Sequence, residues 1–299
     1  MLPILVDVIA PIFLIIAAGF AAGRVLNLDR RALGRSVLYI FAPALAFDAL
    51  TTTALAADEL GQIAAFVLLA TAILGIIAWA GTQAARLSIP RQNAFLLSSL
   101  LMNSGNYGIS ASLFAFGQPG LERAVLFFSV SQMMMYTLGV YLASRGHHTG
   151  WQPLLNIFRL PVAWAMALAL LIRFAGWPVP GFLAKATALA GAAAVPVLLV
   201  ALGIELSRVA GVREWPGVAS ASAVRLIVSI PVGLLAGRIL GLGGVTLAVC
   251  LVQFAMPTAV TPVSLALEFG ADPEFVTSVI TVTTLASVVT LTVLLALLR

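Results

Sequence analysis

Two apolar segments of the chain are interrupted at their centres by polar and helix-breaking residues. The first reads LLMNSGNYGISASLFAFG (residues 100–117), and the second reads FAMPTAVTPVSLALEFG (residues 254–270). Glycine and proline interrupt helices, and an interrupted backbone leaves N–H and C=O groups without partners. These two stretches are therefore the places where an apolar chain has polar groups to offer a ligand.

The half-helices that follow the interruptions, predicted to begin near Ile109 and Val263, carry partial positive charge at their N-termini. Two such ends facing one cavity favour an anionic group such as a carboxylate. The free carbonyls of the preceding half-helices could hold a cation or water. We predict a substrate site without cofactor, metal or catalytic residue, formed by Asn103, Asn106, Tyr107, Gly108, Pro257, Thr258, Thr261 and Pro262.

The composition indicates that these stretches are surrounded by lipid. The chain has 299 residues, of which 62% are hydrophobic and 9% are charged, whereas soluble domains carry about 25% charged residues. The net charge of +5 comes from scattered basic residues, so it does not indicate a nucleic-acid partner. Cys250 is the single cysteine, which excludes a disulfide framework and a thiolate metal site.

Ten apolar segments are long enough to cross a bilayer core of roughly 30 Å, which takes about 20 residues per helix. The sequence therefore predicts an all-α membrane protein with ten transmembrane helices. The predicted spans are residues 3–23, 36–52, 60–85, 94–116, 121–143, 154–174, 182–206, 217–237, 243–267 and 275–298.

Basic residues are distributed unequally between the loops on the two sides. Ten lie on the side of the loops after the odd-numbered spans, and five lie on the other side. Because cytoplasmic loops are enriched in lysine and arginine, both termini are predicted to face the periplasm of a bacterial inner membrane. The ten are Arg24, Arg30, Arg31, Arg35, Arg86, Arg91, Arg145, Arg159, Arg208 and Arg213.

The chain also shows a weak internal repeat at an offset of 153 residues. This offset aligns the interruption at 103–108 with that at 256–261. With five spans in each half, the halves 1–146 and 154–299 would be inverted relative to each other. Inverted repeats with paired helix interruptions are typical of secondary transporters. Glycines and prolines that coincide are Gly23 with Gly176, Pro43 with Pro196, Pro90 with Gly243, Gly117 with Gly270, and Gly120 with Pro273.

Three segments resemble the auxin efflux carrier family, which includes the plant PIN auxin exporters and bacterial organic-acid carriers. They are LSSLLMNSGNYGISASLFAFG, VSQMMMYTLGVYL and AMPTAVTPVSLALEFGADPEFVTSVI. LAGAAAVPVLLVALGIEL in span 7 and FAPALAFDAL in span 2 also resemble the family, so the similarity covers nearly the whole chain. Asn103, Pro257 and Pro262 match the family pattern. Ser110 departs from it, because the family has a proline there. The short loop between spans 5 and 6 is similar to that of compact bacterial members.

The resemblance implies a ten-span carrier in which broken helices 4 and 9 cross and which works by an elevator motion. It implies a scaffold of spans 1, 2, 6 and 7 that forms a homodimer face, and a transport domain of spans 3–5 and 8–10. It also adds Gln132 to the substrate site. We therefore predict a secondary transporter of a small organic anion. The sequence leaves open whether a proton, sodium or no ion is coupled.

Other residues have structural interpretations. Asp48 lies near the end of span 2 and is interpreted as interfacial, since a charge there costs little. Arg225 in span 8 could pair with a substrate carboxylate, but a structural role or snorkelling to the surface is favoured. The Gly-x-x-x-Gly motifs at 19–23 and 233–237 predict close helix packing.

Two other classes, a membrane-embedded enzyme and a channel, are less well supported. The chain has no His-Glu-x-x-His, Gly-x-Ser-x-Gly or P-loop sequence, and Lys185 is its only lysine. The sequence thus predicts no enzymatic activity. A channel would show a repeated filter loop or a ring of charge from symmetric subunits, which an inverted repeat does not favour.

Overall fold

The computed structural model describes residues 1–26, 30–53, 55–144, 160–207, 212 and 214–298. Apart from one isolated β-bridge, the regular structure in these ranges is helical. The described helices are α1 Leu2–Val25, α2 Ala32–Thr52, α3 Ala57–Ala84, α4 Ile89–Leu100, α5 Ser104–Ala143, α6 Pro161–Ala175, α7 Gly181–Leu206, α8 Trp215–Ile239, α9 Gly244–Phe254, α10 Thr261–Phe269 and α11 Pro273–Leu298.

Seven of the described helices are long and apolar enough to cross a membrane, namely α1, α2, α3, α5, α7, α8 and α11. Helices α6 and α9 are apolar but shorter. Predicted span 4 is divided between α4 and the start of α5, and predicted span 9 is divided between α9 and α10. The all-helical membrane fold is thus confirmed, and the count of ten spans stays a prediction.

Several predicted features lie outside the described residues. They are the first six residues of predicted span 6 and the loop residues Arg145, Arg159, Arg208 and Arg213. The side chains of Arg30 and Arg31 are also outside the described part of the chain.

Helix α5 consists of two arms, residues 104–116 and 118–143, separated at Gly117. Gly117 has a φ of +65°, and Gly270, which ends α10, has a φ of +72°. Side chains with a Cβ rarely adopt this left-handed conformation, so glycine is favoured at both positions. The two glycines that coincide in the sequence repeat therefore both have a positive φ, although their ψ angles differ, at −153° and 24°.

Helices α1 and α7 approach each other closely through small residues, and α2 packs against both α6 and α7. A Cβ on Gly19 would collide with the backbone of Val200, and one on Gly203 would collide with the backbone of Ile16. A Cβ on Gly23 would collide with the hydroxyl of Ser207. The prediction of close packing at 19–23 is therefore confirmed.

The remaining long helices, α3, α5, α8 and α11, form a second group together with α4 and α9. Helix α3 contacts α4 and α8, α9 packs along α5, and α11 contacts α4 and α8. Gly233 and Gly237 of α8 lie against leucine side chains of α9, which confirms close packing at the second motif. At the centre of this group, the Phe66 ring lies 6.2 Å from the Phe127 ring and 5.9 Å from the Phe254 ring, centroid to centroid.

Candidate substrate site

The two interruptions lie side by side and pair with each other through their backbones. Met102 and Thr258 form an antiparallel β-bridge. The Asn103 N–H donates to the Pro257 carbonyl at 2.8 Å, and the Ala259 N–H donates to the Leu101 carbonyl at 2.9 Å. Groups that lipid would leave unpaired are thus satisfied where the α4–α5 and α9–α10 segments cross.

The C-terminal ends of α4 and α9 meet the same buried side chain, Arg225 of α8. Its guanidinium donates to the Ser99 carbonyl at 2.8 Å and also to the Phe254 carbonyl. The last carbonyls of a helix have no partner within that helix and carry partial negative charge. Arg225 therefore neutralises two half-helix ends together. Arg225 is fully buried. The expectation that it snorkels to the surface was therefore wrong, and the expectation of a structural role is confirmed.

Thr258 contributes to the same side of the crossing. Its hydroxyl donates to the Ser98 carbonyl of α4 at 2.7 Å, and its N–H donates to the Thr283 hydroxyl of α11 at 3.2 Å. Thr258 is fully buried. The side chain thus serves the end of α4 and is not among the residues that line a cavity.

The N-terminal ends of α5 and α10 lie on the other side of the crossing and face a cavity of about 970 Å³. Asn103, Gly105 and Asn106 line it at the start of α5, and Thr261 and Ser264 line it at the start of α10. The first N–H groups of a helix lack partners within that helix and carry partial positive charge. Two helix N-termini therefore contribute to one cavity.

Helix α5 begins at Ser104, five residues before the predicted position near Ile109, whereas α10 begins at Thr261, close to the prediction. The Gly108 N–H donates to the Asn103 carbonyl at 3.0 Å, which closes a wide first turn of the π type. Glycine at 105 and 108 is thus accommodated inside a helix and does not extend the interruption.

Four of the nine predicted site residues line this cavity: Asn103, Asn106, Gln132 and Thr261. Asn103 is distinct among them, because it is 4% exposed and its Nδ2 has no hydrogen-bond partner in the described part of the chain. A buried amide donor without a partner costs about 1–3 kcal/mol, so a ligand acceptor at this point would be stabilising.

The other five predicted residues lie outside the lining. Tyr107 is fully buried, and its ring makes an edge contact with Phe13 at 5.8 Å between centroids. Gly108 packs against the Gln253 side chain, where a Cβ would not fit. Pro262 occupies the first turn of α10. Together with Pro257 and Thr258, these residues form part of the crossing but do not line the cavity.

Most of the residues that line the cavity are of apolar type, and three of the described lining residues are charged. Leu38 of α2, Leu198 of α7 and Phe128 of α5 are examples of the apolar walls. Arg35 lies at the start of α2, and the lining carboxylates, Glu205 and Glu268, belong to the last turns of α7 and α10. The charged residues therefore mark the helix ends at which the cavity meets the surface.

Arg35, Ser264 and these two glutamates were missed as site residues by the sequence analysis. No sequence signal distinguishes them, because they reach the cavity only through the packing of α2, α7 and α10 around the crossing. Asp48 is not part of the cavity lining.

Comparison with known proteins places the chain among transporters. The sequence profile of a family described as "Membrane transport protein" matches residues 4–152 and again residues 148–295. An uncharacterized transporter from Methanothermobacter thermautotrophicus is 25% identical over 264 residues, covering 88% of this chain and 87% of that protein. An uncharacterized transporter from Methanocaldococcus jannaschii is 25% identical over 291 residues, covering 93% and 94%. These names indicate a transporter, not an enzyme.

Proposed function

Because the chain belongs to the membrane transport protein family, the auxin efflux carrier family that its motifs predicted, we propose that it is a secondary carrier of a small organic anion. The observation that carries this proposal is the arrangement at the crossing. Two helix N-termini and the unpaired amide of Asn103 face one cavity. Aligned N–H groups at helix N-termini bind carboxylates and phosphates, and the apolar walls suit the organic part of a carboxylate.

Support for two inverted halves of five spans, 1–146 and 154–299, comes from several features. The two matches to the family profile, residues 4–152 and 148–295, meet near the proposed boundary between the halves. Gly117 and Gly270, at the ends of corresponding half-helices, both have a positive φ. A further feature is a pair of arginine clusters at equivalent places in the two halves.

The first cluster centres on Arg91 at the start of α4. Arg91 forms ion pairs with Glu214, which precedes α8, and with Asp272, which precedes α11, the latter at 2.6 Å. Its guanidinium carbon also lies 3.8 Å from the centroid of the Phe275 ring. The beginnings of three helices are thus joined around one cation.

The second cluster centres on Arg123 in the second arm of α5. Arg123 forms an ion pair with Glu59 at the start of α3 at 2.7 Å and donates to the Thr246 hydroxyl at the start of α9 at 2.8 Å. In the proposed repeat, α3, α9 and the second arm of α5 correspond to α8, α4 and α11. Both clusters therefore join the beginnings of equivalent helices, as an inverted repeat requires.

We assign the scaffold to the helices of spans 1, 2, 6 and 7 and the moving transport domain to spans 3–5 and 8–10. The contacts among α1, α2, α6 and α7, and those of α3 with α4 and α8, support this division. Alternating access would then be an elevator-like displacement of one group against the other. We also propose that two copies of the chain form a homodimer through the scaffold, and that both termini face the periplasm.

The position of Arg225 bears on ion coupling. Carbonyls at the ends of broken helices are the groups that coordinate a coupling cation in transporters with broken helices. Here the Ser99 and Phe254 carbonyls accept hydrogen bonds from a fixed guanidinium. We propose that the cationic charge of Arg225 is permanent at this site, so that transport needs no sodium ion there.

The carrier proposal is tested by uptake into proteoliposomes of a panel of radiolabelled carboxylates, such as acetate, succinate and phenylacetate. We expect saturable uptake of at least one, stimulated by the same unlabelled acid inside the vesicles, as a carrier requires and a channel does not. The neutral amide of that acid should not compete, because it lacks the charge that the helix N-termini favour.

Asn103→Asp tests the anion site directly, because aspartate keeps the shape of the asparagine side chain and adds a negative charge beside the helix N-termini. Uptake should fall to background, whereas Gln83→Glu should transport normally, since Gln83 lies at the end of α3 and bonds to Gln92 away from the cavity. Equal competition by acid and amide, or normal uptake by Asn103→Asp, would overturn the assignment of an anion site.

A further inference from the structure

One side-chain hydrogen bond joins the two groups of helices at a distance from the crossing. The Thr53 hydroxyl, at the end of α2, donates to Oε2 of Glu122, in the second arm of α5, at 2.5 Å. Thr53 is 8% exposed and Glu122 is partly buried, so this contact is partly shielded from water. A hydrogen bond to a carboxylate is stronger than one between two neutral groups.

The contact lies at the opposite end of the molecule from the open end of the cavity. Along α2, Leu38 lines the cavity and Thr53 follows 15 residues later, about 22 Å away at a rise of 1.5 Å per residue. Along α5, Gln132 lines the cavity and Glu122 precedes it by 10 residues, about 15 Å away. Both helices thus extend from the cavity to this contact.

Thr53 is held firmly on the scaffold side. Arg173, at the end of α6, donates to the Thr53 carbonyl at 2.7 Å and also to the Leu55 carbonyl. The Leu55 N–H donates to the Thr53 hydroxyl at 3.2 Å. The segment that presents the hydroxyl is therefore tied to α6.

Glu122 is held on the side of the proposed transport domain. The next residue, Arg123, pairs with Glu59 of α3 and with Thr246 of α9. Two consecutive residues of α5 therefore make different kinds of contact. Arg123 binds within the proposed moving group, and Glu122 binds across to the scaffold.

We propose that Thr53 and Glu122 form a latch, here called the Thr53–Glu122 latch, that stabilises the conformation in which the cavity is open at the other end. The proposal rests on the proposed carrier function, because the latch acts only if the two groups of helices move relative to each other. The bond must break when the transport domain moves, and its loss should raise the population of the alternative conformation about tenfold.

The latch is tested by measuring distances between spin labels in the full-length protein in lipid nanodiscs. Labels at Gln118→Cys in α5 and Phe182→Cys in α7, in a Cys250→Ala background, report on the two groups at the latch end. Gln118 and Phe182 are exposed, and Cys250 is buried. Glu122→Ala and Thr53→Val should each raise the population of a second label-to-label distance about tenfold relative to the parent.

Thr52→Val is the matched control, because the Thr52 hydroxyl bonds only to the Asp48 carbonyl of its own helix, at 2.7 Å. Its distance distribution should equal that of the parent. Identical distributions in the parent and in both latch variants would overturn the latch. This readout needs no substrate, so it decides the latch even if no carboxylate is transported.

A second experiment measures uptake of the carboxylate, from the panel above, that the parent takes up fastest. In the Cys250→Ala background, Thr53→Cys and Glu122→Cys are joined by a short reducible crosslinker, which should stop uptake until the link is reduced. The same crosslinker between Glu59→Cys and Thr246→Cys, both within the proposed moving group, should leave uptake in place. Undiminished uptake with Thr53 and Glu122 linked would overturn the latch. Absence of any uptake by the parent would instead contradict the carrier function.

Discussion

The four half-helix ends at the crossing fall into two pairs with opposite surroundings. The C-terminal ends of α4 and α9 are sealed inside the protein by Arg225 and Thr258. The N-terminal ends of α5 and α10 face a cavity, and Asn103 beside them has an unpaired amide. A broken membrane helix exposes both carbonyls and N–H groups. In this protein carbonyls at the ends of α4 and α9 are bonded internally, and we propose that the first N–H groups of α5 and α10 serve a ligand.

The comparison predicts that variants on the sealed side change stability, whereas variants on the cavity side change binding. The two sides are separated by only a few residues of backbone, so the distinction can be tested with closely matched substitutions.

The largest effect is expected for Arg225→Met. The variant keeps an unbranched side chain, although a shorter one, and leaves the Ser99 and Phe254 carbonyls without the guanidinium in a fully buried place. We expect a loss of about 3 kcal/mol in the free energy of unfolding, from two hydrogen bonds to a charged group. Thermal unfolding in detergent, followed by circular dichroism, measures it. The unfolding temperature of Arg225→Lys should lie between those of the parent and Arg225→Met. An unchanged unfolding temperature in Arg225→Met would disprove the proposed role of Arg225 at the helix ends.

A smaller loss is expected for Thr258→Val, which removes the hydroxyl that caps the Ser98 carbonyl. The free energy of unfolding should fall by about 1 kcal/mol, with unchanged affinity for the transported carboxylate. Thr281→Val is the control, since the Thr281 hydroxyl bonds only to the Thr277 carbonyl in its own helix. Weaker carboxylate binding at unchanged stability would show that Thr258 acts in ligand binding and not at the end of α4.

The smallest effect concerns sodium. If Arg225 supplies the permanent cation at the sealed ends, replacing sodium by N-methylglucamine should change initial uptake rates into proteoliposomes by less than about twofold. Uptake that needs a sodium gradient would mean that a cation site exists elsewhere or that Arg225 moves away from the carbonyls.

Much of this arrangement could be predicted from the sequence, because its signals are local. The glycine, asparagine and proline residues at 103–108 and 257–262 mark both interruptions, and their helix-breaking chemistry does not depend on the rest of the fold. The membrane class followed from composition in the same way. Asn103 was placed in the site because a buried amide in an interrupted helix needs a partner.

The features that could not be predicted depend on packing between distant segments. The sequence shows Arg225 as a charge inside an apolar helix, but not that α8 brings it to the ends of both α4 and α9. Gly108 was expected to line the site, and the structure places the Gln253 side chain against it. The acidic residues at the ends of α7 and α10 resemble ordinary solvated ends until the cavity between those helices is known.

The central claim, that the N-terminal side of the crossing binds the ligand, is tested most directly by Asn103→Ala. Binding of the transported carboxylate to the purified protein is measured by calorimetry, together with the unfolding temperature without ligand. We expect about tenfold weaker binding or more, because a hydrogen-bond donor to a charged group is lost. The unfolding temperature should change little, because Nδ2 of Asn103 has no hydrogen-bond partner in the described part of the chain. Parental affinity in a folded Asn103→Ala protein would show that the interruption is a packing kink and not a binding site.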